Sequence, residues 1–234
     1  MNLYVVSDKQ GSGKTLITAG IAATMQSLGY SVGYYKPIQT GAFSQSNFVT
    51  SQDITFVKKI DPNLNTVVSY VLKSDAFPYL AAQAEKQNIQ PENLVRDFLT
   101  LRKTSEIVMV ESCGGLLAPY SENMRSIDFA QALQTEVLIV AEQSTEGFEK
   151  VLMMIETARH AGLNVRGIII NKFIKTDDLN LKNLPALLEA YSGIPVVGIV
   201  GCLPKITPSG LIDTVLHSID LETIFGVKIP KLSR

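Results

Sequence analysis

The residues best placed to do chemistry fall in one short run, Ser7-Asp8-Lys9-Gln10-Gly11-Ser12-Gly13-Lys14-Thr15. Gly11 and Gly13 let the backbone approach a ligand with no Cβ in the way. The amides of Gly11, Ser12 and Gly13, leading into a helix N-terminus, form a nest for polyphosphate. In such a nest Lys14 reaches the β- and γ-phosphates and the Thr15 hydroxyl ligates Mg2+. The strict pattern G-x-x-x-x-G-K-[ST] is not met, because Asp8 occupies the position of its first glycine. The case rests instead on where the run sits, between a strand and a helix. A bare turn and helix cap is the competing reading.

A nucleoside triphosphate site needs a further carboxylate for its metal, usually at the end of a buried strand. Ile107-Val108-Met109-Val110-Glu111 supplies one, and Glu111 is read as a metal or water-orienting group. Behind it, Gly114 and Gly115 allow a substrate close to the backbone. Asp53, opening the segment Gln52–Ile60, is a less specific candidate metal ligand. Lys36, in Tyr34-Tyr35-Lys36-Pro37-Ile38-Gln39-Thr40-Gly41, projects from the sheet edge that carries the phosphate loop. There it can neutralise a transferred phosphoryl group or an acid substrate; a solvated strand-end lysine is the alternative. Pro37 is expected to end strand pairing and Gly41 to permit a sharp turn. Asn171-Lys172 is similar to the start of the N-K-x-D element of GTPases, but Ile174 replaces the Asp that reads guanine. Asn171 can pair with the edge of adenine, which favours ATP over GTP. Cys113 reads as a small packing residue, and His160 and His217 lack metal-ligand spacing.

These groups must be held by strands and helices. Strand candidates are Leu3–Val6, Val32–Tyr35, Val68–Val71, Ile107–Val110, Val137–Ala141, Gly167–Ile170 and Val196–Val200. The central ones are continuous apolar runs, as burial on both faces requires. Between them Gly13–Leu28, Pro91–Thr104, Phe148–His160 and Leu184–Tyr191 carry apolar residues at helical spacing, and Gly29 and Gly162 stand where helices end. The pattern predicts an α/β fold of three layers, α/β/α, around a mostly parallel seven-stranded sheet like that of P-loop NTPases. Residues 1–234 read as a single domain. Two stretches lack pattern: Gly41–Thr50, a candidate substrate lid or a mobile surface loop, and Lys175–Asn183.

Of the 234 residues, 46% are hydrophobic, and 21 Lys and Arg balance 22 Asp and Glu. The balance gives no electrostatic footprint for nucleic acid or an anionic membrane. Two cysteines, Cys113 and Cys202, cannot build a disulfide framework. Nothing reads as a signal peptide or a spanning segment. A cytoplasmic protein is expected.

Four blocks in order carry a resemblance: the Gly13-Lys14-Thr15 loop, Lys36–Gly41, Val110-Glu111-Ser112-Cys113-Gly114-Gly115 and Ile170-Asn171. Together they resemble dethiobiotin synthetase. Phe77-Pro78 before an Ala-rich helix, Leu116–Ser121 and His160–Leu163 extend the likeness to about residue 204. The resemblance implies a homodimeric ligase dependent on ATP and Mg2+, using 7,8-diaminononanoate and CO2 or bicarbonate as small-molecule substrates and neither nucleic acid nor membrane. It implies Lys14 and Thr15 on phosphate and metal, Asp53 and Glu111 on Mg2+, and Lys36 on the carbamate and γ-phosphate. It also implies Thr40 on substrate, and Asn171 and Pro204 at the nucleotide. Lys9, five residues before Lys14, resembles the extra lysine of partitioning ATPases (K-x-G-x-G-K-T), which reaches the phosphates of nucleotide in a dimer. Three departures stand out: Ser7-Asp8-Lys9 in the loop, Ser112-Cys113 after Glu111, and Glu149-Lys150 where the family has an Asn-His pair. Three readings follow: the cyclo-ligase, a divergent ligase acting on another amine or acid, and a partitioning-type ATPase switch.

Overall fold

The computed structural model describes residues 1–45 and 48–228; residues 46, 47 and 229–234, parts of the Gly41–Thr50 stretch and of the C-terminal tail, lie outside them. In chain order the elements are β1 (Asn2–Ser7), α1 (Lys14–Ser27), β2 (Val32–Gln39), β3 (Phe43–Gln45), β4 (Phe48–Thr50), α2 (Gln52–Ile60) and β5 (Asn65–Val71). Next come α3 (Pro78–Ala84), α4 (Pro91–Arg102), β6 (Ile107–Glu111), β7 (Pro119–Ser121), β8 (Met124–Arg125), α5 (Ser126–Ala132) and β9 (Glu136–Glu142). The chain continues through α6 (Thr145–His160), β10 (Val165–Phe173), α7 (Leu179–Ser192), β11 (Val196–Gly201), α8 (Pro208–Ser218) and α9 (Leu221–Phe225).

Seven strands form one sheet in the order β11-β10-β9-β1-β6-β2-β5, and every pairing within it is parallel. The seven strands stand where the apolar runs placed them, with boundaries one to several residues wider. β1 shows why these runs are legible. Leu3 and Val5 pack with Ile17, Ile21, Met25, Val57 and Val215 on one face, whereas Tyr4 and Val6 pack with Phe98, Phe129, Val151 and Ile155 on the other. Both faces of the strand are therefore apolar, and burying each such side chain contributes about 1.5–3 kcal/mol. The first face is covered by α1, α2, α8 and α9, the second by α4 to α7, which gives the expected three layers.

Topology fixes where a site can form. β1 lies between β6 and β9, with the strands nearer the N-terminus on one side and those nearer the C-terminus on the other. At such a reversal the connections leave in opposite directions and open a crevice at the carboxyl ends of the strands. The loop after β1 lies in that crevice.

Three expectations need correction. Pro37 ends pairing on one side of β2 only: contact with β6 stops at Tyr35↔Val110, but β5 stays paired through Gln39↔Val71. β2 therefore carries Lys36 within the sheet and not beyond its edge. Gly41–Thr50 does not lack regular structure, since β3 and β4 pair antiparallel from Phe43↔Thr50 to Gln45↔Phe48. In the second loop-like stretch α7 already starts at Leu179, because the Asp178 carboxylate caps it by accepting from the amides of Asn180 and Leu181. Gly29 (φ +97°) and Gly162 (φ +70°) do terminate helices in the left-handed conformation. No helix among the described residues is long and apolar enough to cross a membrane.

Candidate active site

The phosphate loop leaves β1 at Ser7 and enters α1 at Lys14. Gly11 (φ +80°) and Gly13 (φ +89°) adopt the left-handed backbone that side chains resist. Gly13 is the N-cap of α1 and provides no side-chain cap. The first amides of the helix are thus left for a ligand. Lys14 Nζ donates to Ser7 Oγ at 2.8 Å. Burial pulls the Lys14 pKa below the ordinary lysine value; the Glu111 carboxylate pushes it back up, and the neighbouring Lys36 charge pulls it down.

The loop is fastened from behind. Asn171, at the end of β10 and 1% exposed, donates from Nδ2 to the Ser12 carbonyl at 2.8 Å. The fit leaves no space: a Cβ on Gly13 would lie 2.1 Å from Asn171 Nδ2. Gly13→Ala therefore combines a left-handed backbone penalty with a clash, and is expected to destabilise the protein by about 2–3 kcal/mol. A thermal melt checks this, and an unchanged melting temperature would contradict it. Asp8 turns away from the nest: its Oδ1 accepts from Ser12 Oγ at 2.6 Å and from the Glu142 amide at 3.4 Å. The residue that departs from the strict loop pattern thus ties the loop to the end of β9.

A second group forms where β2, β6, α1 and α2 meet. Thr15 Oγ1 donates to Glu111 Oε1 at 2.8 Å and lies 3.2 Å from Asp53 Oδ1. Lys36 Nζ lies 2.9 Å from Glu111 Oε1 and 2.7 Å from Asp53 Oδ2, and also donates to the Ser112 carbonyl at 3.3 Å. The Tyr34 hydroxyl donates to Glu111 Oε2 at 2.5 Å. Burial opposes the charge on Lys36, but Glu111 and Asp53 outweigh it and hold the pKa above the usual lysine range. Burial and the same two carboxylates raise the Tyr34 pKa, so the phenol stays a donor.

Beside this group the segment after β6 meets the end of β2. Thr40 Oγ1 lies 3.5 Å from Cys113 Sγ, and a Cβ on Gly115 would lie 3.7 Å from the Ser7 carbonyl. Gly114 takes a φ of +93°. The Cys113 amide donates to the Tyr120 hydroxyl at 3.0 Å, and Tyr120 in turn is hydrogen-bonded to Tyr4. Cys113 therefore belongs to the wall of the crevice, in keeping with a packing residue.

The structure thus brings together Lys14, Thr15, Lys36, Asp53, Glu111 and Asn171, with Thr40, Gly114 and Gly115 alongside. Lys9 sits apart at the rim: its ammonium lies 3.2 Å from Glu142 Oε1, and Lys172 lies 3.0 Å from the other oxygen of the same carboxylate. Pro204 is exposed in the β11–α8 loop. At the start of α6, Ser144 accepts from the Gly147 amide, and Glu146 forms an exposed pair with Lys150 at 3.7 Å. Sequence reading missed Ser7, Glu142 and Tyr34 as partners of the site. For Tyr34 a signal existed, its two-residue offset from Lys36, which puts both on one face of β2.

Two observations test whether nucleotide and magnesium fit. Asn171 Oδ1 is buried and has no hydrogen-bond partner among the described residues, an acceptor suited to the amino group of adenine. Two carboxylates and a threonine hydroxyl converge beside the phosphate loop, yet no cluster of three or more His, Cys, Asp or Glu is found among the described residues. This donor set suits Mg2+, which takes one or two carboxylates and completes its shell with phosphate oxygens and water. It does not suit a cation that needs an all-protein cage.

A parallel sheet with a glycine loop at its switch point, a lysine and a threonine opening the next helix, and a carboxylate at the neighbouring strand end define a P-loop nucleotide-binding protein. The model of the AAA domain family matches residues 1–209, and the chain belongs to that family. Among curated relatives, an ATP-dependent dethiobiotin synthetase BioD of Clostridium perfringens is 26% identical over 210 residues, 87% of this chain and 90% of that protein. The protein of the same name from Caldicellulosiruptor saccharolyticus is 29% identical over 202 residues, 83% of this chain and 82% of its own length. The likeness read from four short blocks thus runs through most of the chain. Solved structures share the fold. The septum site-determining protein MinD of Pyrococcus horikoshii, complexed with Mg-ADP, superposes with a TM-score of 0.57 at 16% identity, covering 91% of this chain and 85% of that one. A ParA family ATPase from Chlorobium tepidum gives 0.55 at 14%, covering 97% and 93%.

Proposed function

We propose that the protein is an ATP- and Mg2+-dependent cyclo-ligase of biotin synthesis that forms dethiobiotin from 7,8-diaminononanoate and CO2. The observation that carries this reading is Lys36, held within the sheet by Glu111 and Asp53 beside the phosphate loop. In this reading one amine of the substrate adds to CO2 and loses a proton, giving a carbamate. A carbamate oxygen attacks the γ-phosphorus of ATP and ADP leaves. The second amine then attacks the carbonyl carbon of the carbamic-phosphoric anhydride and loses a proton, and phosphate departs as the ring closes.

An anion must approach an anionic triphosphate in the second step. The chain's own contribution is positioning and charge neutralisation: Lys14 on the phosphates and Lys36 between phosphate and carbamate. Thr15, Glu111 and Asp53 would hold Mg2+, which supplies further neutralisation of the triphosphate when bound. Thr40, Gly114 and Gly115 face the reacting end of the diamine, and Asn171 reads adenine. We assign the working form as a homodimer.

A second reading, a ligase acting on another amine or acid, draws on the start of α6. Glu146 and Glu149 there would repel a substrate carboxylate, and Lys150 is paired with Glu146. Phosphate release from Mg-ATP and bicarbonate, with and without diaminononanoate, separates the readings. Diamine-dependent release with a dethiobiotin product is the expected result. Release that ignores the diamine would instead indicate a partitioning-type switch, and no stimulation would indicate another substrate.

A further inference from the structure

Glu111 is held asymmetrically. On β2 and β6, Tyr34 stands opposite Met109, and Lys36 and Glu111 each lie two residues further along. Side chains two apart share a face, so Tyr34 and Lys36 both lie on the α1 side of the sheet with Glu111. Glu111 Oε1 takes the two partners from the site, Lys36 Nζ at 2.9 Å and Thr15 Oγ1 at 2.8 Å. Glu111 Oε2 takes the phenol of Tyr34, which is 0% exposed. The last torsion of a glutamate is broad and roughly two-fold, so packing alone does not decide how its carboxylate is turned. A short hydrogen bond from a fully buried donor does.

We infer that Tyr34 is a positioning residue of the metal site, its phenol fixing Glu111 so that Oε1 is the oxygen presented to Thr15, Lys36 and the cation. The inference rests on the assignment of Glu111 to Mg2+ made above. Tyr34 touches neither nucleotide nor substrate in that arrangement. Without its hydroxyl the carboxylate can turn both oxygens toward Lys36, which weakens its hold on a metal and occupies the lysine.

Tyr34→Phe removes the oxygen and keeps the ring. The probe is Mn2+ in place of Mg2+, its binding followed by the loss of the free-ion resonance in the presence of saturating ADP. ADP binding in EDTA is measured alongside. Tyr34→Phe is expected to weaken Mn2+ binding by about 10- to 100-fold, the range for partners that orient metal ligands. ADP affinity without metal should stay within about twofold, because the phosphate loop is untouched. Glu111→Gln sets the reference. If Tyr34 acts through Glu111, adding Tyr34→Phe to Glu111→Gln costs no further Mn2+ affinity. Unchanged Mn2+ binding in Tyr34→Phe, with a loss in Glu111→Gln, would overturn the inference and leave the metal assignment standing. Unchanged binding in Glu111→Gln would overturn both. Additive losses, or a parallel loss of metal-free ADP binding, would also overturn the role assigned to Tyr34. If Tyr34→Phe alone does not fold, the double variant, in which neither partner is left charged and unpaired, is compared with Glu111→Gln. Equal Mn2+ affinities support the inference, and a weaker double variant overturns it.

Discussion

Lys36→Ala is expected to lower turnover by about 10²- to 10³-fold, the usual cost of removing one preorganised charge-stabilising group, while ATP affinity changes by less than about threefold. The split follows from where the ammonium stands. Its partners are Glu111 and Asp53, at 2.9 and 2.7 Å, and the Ser112 carbonyl, whereas the nest amides lie in the loop after β1 and Lys14 opens α1. In the proposed reaction, Lys36 offers charge at the place where two anions must meet. Phosphate release at saturating Mg-ATP, bicarbonate and diamine reads turnover, and a fluorescent ATP analogue reads affinity. A variant that turns over normally removes Lys36 from the chemistry. The same substitution leaves two carboxylates facing each other without a counter-charge, one of them 1% exposed. Removing one partner of a buried pair costs about 3–5 kcal/mol, so the metal-free variant should melt well below the parent protein. Added Mg2+ should recover part of that loss, because a cation replaces the missing charge.

Lys14→Ala should act on the other half of the site and with the opposite balance. Its half-buried ammonium is hydrogen-bonded to a neutral partner, Ser7 Oγ at 2.8 Å, and desolvation lowers its pKa although the Glu111 carboxylate pushes the other way. A partly desolvated charge that makes no direct ion pair gains when phosphate arrives. ATP affinity is expected to fall about 100-fold, the upper end for one hydrogen bond to a charged group. The ligand-free variant should melt at or above the parent temperature, since an under-compensated charge is removed. Equilibrium binding and a thermal melt on the same preparation check both signs. Unchanged ATP affinity would count against the loop assignment.

How much of this could be read in advance varied with the kind of signal. The seven strands were legible because strands buried on both faces must be continuous apolar runs, and Leu3–Val6 or Val137–Ala141 admit little else. α4 and α6 show their helical period because each buries one stripe, whereas α1 is buried all round from Ile17 to Met25 and is marked by its length and its terminating glycine instead. The β3–β4 hairpin was hidden, because strands of three residues are too short for any periodicity. Pro37 misled because a missing amide interrupts pairing toward one neighbour while the other remains bonded. Within the site, the residues singled out by local spacing, Lys14, Thr15 and Glu111, are ones that the fold does draw together. Glu142 was not singled out, and the offset of Tyr34 from Lys36 puts it on the right face without naming its partner, because both roles depend on register across the sheet. Tyr34 reads as one more core aromatic until its hydroxyl is seen against Glu111. Lys9 was singled out by its spacing alone, and within the chain its ammonium pairs with Glu142.

The bond from Asn171 to the Ser12 carbonyl joins residues 159 apart in sequence. The phosphate loop is synthesised among the first residues of the chain, yet its back wall arrives only when β10 docks beside β9. Contacts of such sequence separation carry a large closure entropy and form late. Nucleotide binding therefore reports that the sheet has been completed, and a nascent chain that ends before β10 would carry the whole glycine loop and still lack a finished pocket. Equally, under the proposed function ATP bound across this junction favours the folded state as a whole, so ligand should protect β10 along with the loop.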